Sequence, residues 1–470
     1  MREFTEAWGR SEKTPLWLMA GGAALLTVAG IASPPDSALM VAGGVVSGLI
    51  LVARPDIAFA LIFGIESLFT EDVLLVNEQL EQTIYKISLP YLGLNIFEAA
   101  LLLLALITFL QQRGVVYGTR LDFALAWFGA ACVVGYITCL FYYKDPALLF
   151  EPRRLMHLFV AYYLTVNLLR TKESLLIFLT ILLAAVALKA GEGVYLFTAG
   201  QGLQIKWKIR AIFTDWADSL MFVTYLLILA AFLVERVRFP GKWIFTALSP
   251  VVFFSLLVSY KRAYYIAILA GFVALFWIQG RKSRFRLILF SGLAAVMLMG
   301  LITITDQWTA VSLRVQSIVQ PTKESSANYR LVEWQNALIC IRKNPLFGIG
   351  LGGVMPMEIW LSRTNLLGVH NTFLWVAVKM GAFGLFPYLL VHFAFLRRLH
   401  RQNEVLRDPF LRVLSKGIYC SFIAFCAAQM FAPMFAQMRT AAYLGVILGI
   451  GMMLAQHDYL PPSQVQSLDK

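Results

Sequence analysis

The side chains with which this chain could do chemistry are few. Its five histidines are His157, His370, His392, His400 and His457. No two have the spacing of a metal pair, and neither HExxH nor CxxC occurs. Cys132, Cys139, Cys420 and Cys426 lie in apolar runs, where thiols behave as small hydrophobes. Cys340 stands alone in a long polar stretch, so neither a metal centre nor a disulfide framework is expected. His370 has the most to offer. It sits in Gly368-Val369-His370-Asn371, directly ahead of an apolar run, and so at or near a helix N-terminus. The positive end of a helix disfavours the imidazolium, and a neutral imidazole can take a proton as a general base. Taken alone, a histidine there is more often a capping or interfacial residue than a catalyst. Arginine and lysine total 40 against 27 aspartates and glutamates, a net charge of +13. That excess either orients the chain or also binds something anionic.

The elements that must carry these groups are membrane spans. Of 470 residues, 59% are apolar and 14% charged, against about 45–50% and about 25% in soluble domains. Mean hydropathy is +0.71. Such a chain cannot cover its surface with polar groups. Soluble enzymes, nucleic-acid-binding domains and disordered proteins are excluded, and the lipid bilayer becomes a partner. A bilayer core needs about 20 apolar helical residues. Spans are expected near 16–32, 37–53, 55–69, 91–111, 121–141, 155–169, 174–198, 219–234, 243–258, 263–279, 287–304, 371–396, 417–436 and 440–456. The expectation is an all-α polytopic membrane bundle of about fourteen helices. It divides into a bundle over 1–304, an outward, partly helical loop over 305–370, and three further spans of the same bundle in 371–470.

Alternate connections carry basic clusters, among them Arg236/Arg238/Lys242 and Arg281/Lys282/Arg284/Arg286, and are cytoplasmic by the positive-inside rule. Orientation accounts for these. It does not account for Lys206, Lys208, Arg210, Lys261, Arg262, Arg330, Arg342, Lys343 and Arg363 on the outward side. Lys86, Lys144, Lys323 and Arg439 read as solvated or snorkelling charges. The segment 305–370 is too long for a structureless connection. After an N-cap at Ser325-Ser326, Leu331, Trp334, Leu338 and Ile341 recur at helical spacing. They predict an amphipathic helix on the rim of the bundle, with Asn328, Glu333, Gln335 and Arg342 facing elsewhere. The run Gly348-Ile349-Gly350-Leu351-Gly352-Gly353 lacks the strand and the Lys-Ser/Thr of a P-loop, and reads as tight turns that let backbone approach backbone. Glu66, Glu98, Lys189 and Glu192 lie in or near spans; Lys189 and Glu192, three apart, are expected to pair. Lys379 either snorkels or faces a cavity.

Four stretches taken together resemble the O-antigen ligase and polymerase superfamily of bacterial polysaccharide assembly. They are Tyr329-Arg330-Leu331-Val332-Glu333-Trp334, Asn344-Pro345-Leu346-Phe347-Gly348-Ile349-Gly350, His370-Asn371-Thr372-Phe373-Leu374 and Gly381-Ala382-Phe383-Gly384-Leu385. Ser259-Tyr260-Lys261-Arg262-Ala263 and Arg210-Ala211-Ile212-Phe213-Thr214-Asp215 are weaker matches upstream. In the second, Trp216 replaces the family's usual proline and Asp218 stands near its common asparagine.

The resemblance implies a multi-pass glycosyltransferase of the GT-C type in the bacterial inner membrane, its site facing the periplasm, needing neither metal nor nucleotide cofactor. The donor would be a glycan on undecaprenyl diphosphate. An acceptor hydroxyl would attack the anomeric carbon with inversion. A departing diphosphate gathers negative charge, which arginine forks can stabilise. By this resemblance His370 would be the base, and Arg262 and Arg330 the diphosphate clamp. Arg210, Arg153, Arg154, Lys261 and Asn371 would make further donor contacts, and Trp334 would serve as a sugar platform or pack. The acceptor would be a lipid A–core sugar (a ligase), another lipid-linked repeat (a polymerase) or a protein hydroxyl. A transporter or flippase of lipid-linked sugars is the rival class. Intramembrane Glu and Lys suit it, but the sequence has no clear internal repeat.

Overall fold

Backbone amides and carbonyls in a lipid core find no water, so a chain this apolar must pair them within helices. The computed structural model describes residues 53–68, 95–112, 119–143, 150–200, 203–206, 209–211, 216–304, 308, 312, 325–356, 358–359 and 369–457, and it is helical almost throughout. The helices are α1 (Pro55–Glu66), α2 (Ile96–Gln112), α3 (Arg120–Tyr143), α4 (Phe150–Leu168), α5 (Lys172–Thr198), α6 (Trp216–Glu235), α7 (Lys242–Val258), α8 (Arg262–Ile278), α9 (Arg281–Ile304), α10 (Ser325–Lys343), α11 (Thr372–Val405), α12 (Pro409–Gln429) and α13 (Met438–His457). One antiparallel hairpin, β1 (Leu203–Lys206) and β2 (Ile209–Ala211), lies between α5 and α6. Apart from α10, each helix falls on an expected span. The spans expected at 16–32 and 37–53 lie outside the described residues.

Helices α3, α5, α6, α11, α12 and α13 have the length and apolarity to cross a bilayer, and α2, α7 and α8 are shorter apolar helices. The chain is a multi-pass membrane protein. Helix α3 leaves Phe123, Val133 and Phe141 exposed, the last by 79%, a surface for lipid to cover. Helix α13 is enclosed instead. A Cβ at Gly445 would stand 2.2 Å from the Leu158 carbonyl oxygen and one at Gly449 2.5 Å from Thr165, so this Gly-x-x-x-Gly spacing brings α13 onto α4.

Several buried charges are paired with opposite ones. Lys189 meets Glu192 at 2.7 Å, as its spacing predicts, and donates to the Leu68 carbonyl at 2.9 Å. Arg439 is not the solvated charge expected of it. It is fully buried, 2.8 Å from the equally buried Asp218 carboxylate, and donates to the Ser67 carbonyl. An acid at the start of α6 supplies the partner that makes this burial tolerable. Lys379 neither snorkels nor faces a cavity. Its ammonium lies 2.8 Å from the buried Glu151 carboxylate and donates to the Gly353 carbonyl, while Glu151 also accepts the Gly352 amide.

The feature that organises the His370 side of the molecule is a break in α11. Gly381 has φ +59° and ψ −156°, a backbone region that only glycine enters freely. In an unbroken helix the carbonyls of Val378 and Lys379 would accept the amides of Ala382 and Phe383. Here Ile349 and Gly350 donate to those two carbonyls, each at 2.9 Å. Ala382 and Phe383 donate instead to Pro345 and Leu346, at 2.8 and 3.0 Å. The Asn344–Gly350 turn thus takes up these two carbonyls and two amides. This is the backbone approach expected of the glycine-rich run. A Cβ on Gly381 would lie 2.4 Å from the Leu346 backbone, and one on Gly348 2.5 Å from the Val378 and Lys379 backbone.

Gly381→Ala should therefore lower stability by at least about 2 kcal/mol, from backbone strain and overpacking together. Gly191→Ala, in α5 with nothing near its added Cβ, should be neutral or slightly stabilising. Thermal unfolding of the detergent-purified variants checks both, and equal melting of Gly381→Ala and wild type would contradict the account of the break.

Candidate active site

Helix α11 starts at Thr372, with the Asn371 side chain capping it by accepting the Leu374 amide at 3.0 Å. The Thr372 hydroxyl donates to the Ala432 carbonyl and accepts the Met434 amide, which fixes the helix start against the connection between α12 and α13. His370 lies just outside this N-terminus, as the sequence predicts. Its immediate partner is an acid. Glu333 of α10 accepts the His370 backbone amide at 3.0 Å, and both its carboxylate oxygens lie 3.1 Å from His370 Nδ1. The Glu333 side chain is 1% exposed and the imidazole 35%.

A carboxylate can only accept hydrogen bonds, so Nδ1 carries the imidazole proton and Nε2 is left to receive one. Carboxylate-oriented histidines that act as general bases have this arrangement, in which the acid also stabilises the imidazolium once it forms.

The sequence expectation for α10 needs correction here. The helix is amphipathic, with Trp334 and Ile341 against the core and Asn328, Gln335 and Arg342 exposed as expected, but its buried face is rotated from the apolar stripe. Glu333, Asn336, Ala337 and Cys340, at positions i, i+3, i+4 and i+7, are buried, while Leu331 and Leu338 are exposed. Hydrophobic periodicity misjudges the facing because the buried polar groups are satisfied. The Asn336 amide oxygen accepts the Glu358 and Ile359 amides, each at 2.8 Å, and its nitrogen donates to the Val332 carbonyl.

Two aromatic rings flank His370 edge-on, Trp216 at 6.4 Å and Tyr329 at 6.5 Å between centroids. Burial raises the Tyr329 phenol above its ordinary value, the Glu333 charge adding to the effect, so it is a neutral hydroxyl. Trp216 opens α6. Gln437 accepts its amide at 2.9 Å and Tyr264 donates to its carbonyl at 2.6 Å. The Lys261 ammonium lies 4.6 Å over the Trp216 ring. Arg262, the first residue of α8, follows Lys261 directly, after a turn in which Tyr260 takes φ +52°. Arg330 follows Tyr329 on α10. The structure therefore brings His370 and Lys261 to one tryptophan, with Arg262 the chain neighbour of Lys261 and Arg330 the chain neighbour of Tyr329.

The other candidates lie as follows. Arg153 makes a bidentate contact with Glu98, whose fully buried carboxylate also lies 3.7 Å from His157. Arg154 is its neighbour on α4. Arg210 is on β2, opposite Gln204. The half-buried Trp334 packs 6.4 Å from the Phe431 ring. Among the described residues no group of three or more His, Cys, Asp or Glu could hold a metal ion. Sequence reasoning missed Glu333 and Trp216. Glu333 sits inside a quoted stretch, where an acid among arginine and aromatic residues was a usable signal. Trp216 showed only as a departure from a pattern.

Residues 245–389 match the family model described as O-antigen ligase. The matched stretch includes Lys261, Arg262, Tyr329, Arg330, Glu333 and His370. No curated protein matches the sequence.

Glu333→Ala would leave the His370 amide and Nδ1–H without their acceptor. A loss of about 1–3 kcal/mol in unfolding free energy is expected, less for Glu333→Gln, which keeps one acceptor oxygen. An unchanged melting temperature for Glu333→Ala would show that the carboxylate does not hold His370.

Proposed function

We propose that this member of the O-antigen ligase and polymerase superfamily, a membrane glycosyltransferase of the ligase or polymerase type, moves a glycan from undecaprenyl diphosphate to an acceptor hydroxyl. The observation that carries the reading is the Glu333–His370 pair set beside Lys261 and the positions of Arg262 and Arg330. In the proposed reaction, the acceptor hydroxyl gives its proton to His370 Nε2 as its oxygen bonds to the anomeric carbon. On the opposite face the bond from that carbon to the phosphate oxygen breaks, and the diphosphate leaves with the electron pair. The configuration inverts. Glu333 compensates the imidazolium. Arg262 and Arg330, with Lys261, counter the charge gathering on the leaving group. No step calls on a metal.

The alternating basic connections support an inner-membrane orientation with this site on the periplasmic side. A lipid A–core acceptor, and hence a ligase, is the preferred member of the class; a polymerase extending a lipid-linked repeat differs only in the acceptor. A deletion strain separates the two by electrophoresis of its surface polysaccharide. A ligase loss removes all long glycan from the core, and a polymerase loss leaves a single repeat on it.

With purified protein, lipid-linked donor and acceptor, His370→Ala should lower transfer by at least about a hundredfold, while the donor it takes from the buried Glu333 costs about 1–3 kcal/mol of stability, so transfer is compared at a temperature where the variant stays folded. Arg262→Lys should also lose transfer, because lysine keeps the charge but not the planar fork. Near-normal transfer by His370→Ala would end the proposal for the base, and free replacement by lysine at 262 would end the bidentate clamp.

A further inference from the structure

Helix α11 folds back at its break, with Phe373 and His392 5.6 Å apart between ring centroids, and from His392 to Val405 it runs about 20 Å away from the His370 end at about 1.5 Å per residue. At that end a cavity of about 500 Å³ opens where α6 ends, α9 and α12 begin and α11 closes. Its walls include Glu235, Ser283, Asn403, Pro409, Arg412 and Lys416. Lys416 is spoken for, its ammonium 2.6 Å from the Glu235 carboxylate. Arg412 has no ion pair or side-chain hydrogen bond with any described residue. Asn403 is stranger. Its amide nitrogen and oxygen are both shielded from solvent, and neither has a hydrogen-bond partner among the described residues. A buried amide with both ends unmade costs free energy unless something fills the space beside it.

We propose that this cavity binds a phosphodiester headgroup carrying one negative charge and a hydroxyl, the chemistry of phosphatidylglycerol. Three features fit. The walls sum to one net positive charge, Arg412 and Lys416 against Glu235. Arg412 supplies a free fork for two phosphate oxygens. A turn of the Asn403 side chain toward the cavity would let its amide donate to a phosphate oxygen and accept from a headgroup hydroxyl, which satisfies both of its unmade bonds. The cavity lies at the ends of membrane helices, where lipid headgroups collect and basic recesses between helices take them. Its size is that of a small-molecule site. The inference does not rest on the transferase reaction, because it uses no residue near His370.

Binding to the full-length protein, delipidated in detergent, is measured by native mass spectrometry and by thermal shift with short-chain phosphatidylglycerol, phosphatidylethanolamine and soluble glycerophosphoglycerol. Saturable binding of phosphatidylglycerol in preference to phosphatidylethanolamine is expected. Arg412→Ala should weaken it about tenfold or more. Asn403→Asp, nearly isosteric and therefore suited to a protein that tolerates little change at 412, should weaken it as much by repulsion. If glycerophosphoglycerol binds as tightly as the lipid and responds to the same variants, the headgroup site stands and its ligand is soluble. Binding of none of the three, equal binding of both lipids, or phosphatidylglycerol binding indifferent to both substitutions would overturn the proposal.

Discussion

A membrane helix cannot leave four backbone groups unpaired, and α11 is broken where it would do so. The constraint is severe in a lipid core, where each unsatisfied amide or carbonyl costs several kcal/mol. The chain resolves it by laying Pro345–Gly350 into the break, so that two amides and two carbonyls on each side find partners in the other. Because the turn follows α10 directly, the break also fixes where α10 ends relative to α11. Glu333 rides on one helix and His370 precedes the other. Their meeting at 3.1 Å follows from a backbone splice more than a helical turn of protein away.

Around this splice the polar interior is arranged as paired fasteners. Glu151 and Lys379 clasp the amide of Gly352 and the carbonyl of Gly353, which extends the anchorage of the turn to α4. Arg439 and Asp218 join the starts of α13 and α6, and Gln437 takes the Trp216 amide beside them. Pairs this buried add little to stability relative to well-packed apolar residues, and removing one partner is costly. Their contribution is to position: Trp216 is held at the start of α6, where it touches Lys261 on one side and His370 on the other.

Much of this was legible beforehand, for physical reasons. From residue 55 onward the apolar runs mark the helices well, because lipid demands the same length and composition of each span. The glycine-rich turn was readable as close backbone approach. The break it fills was not, since pairing between residues 349 and 378 leaves no periodic trace. Two polar groups were misplaced. Arg439 read as a solvated or snorkelling charge and Glu333 as facing away from the apolar stripe of its helix, and both are buried beside partners distant in sequence. The same error turned α10 by half a face. His370 was found for a helix-dipole reason, but the carboxylate at its Nδ1 governs its geometry more closely than the helix terminus does.

The central claim is that Glu333 fixes the His370 tautomer and leaves Nε2 to accept a proton. The most direct measurement is the ring-nitrogen NMR spectrum of the protein in lipid nanodiscs, labelled at histidine and assigned by comparison with His370→Gln. The account predicts that the neutral form of the ring carries its proton on Nδ1, with that preference lost in Glu333→Leu. A neutral His370 protonated at Nε2 in the native protein, or one whose tautomer is indifferent to Glu333, would contradict it.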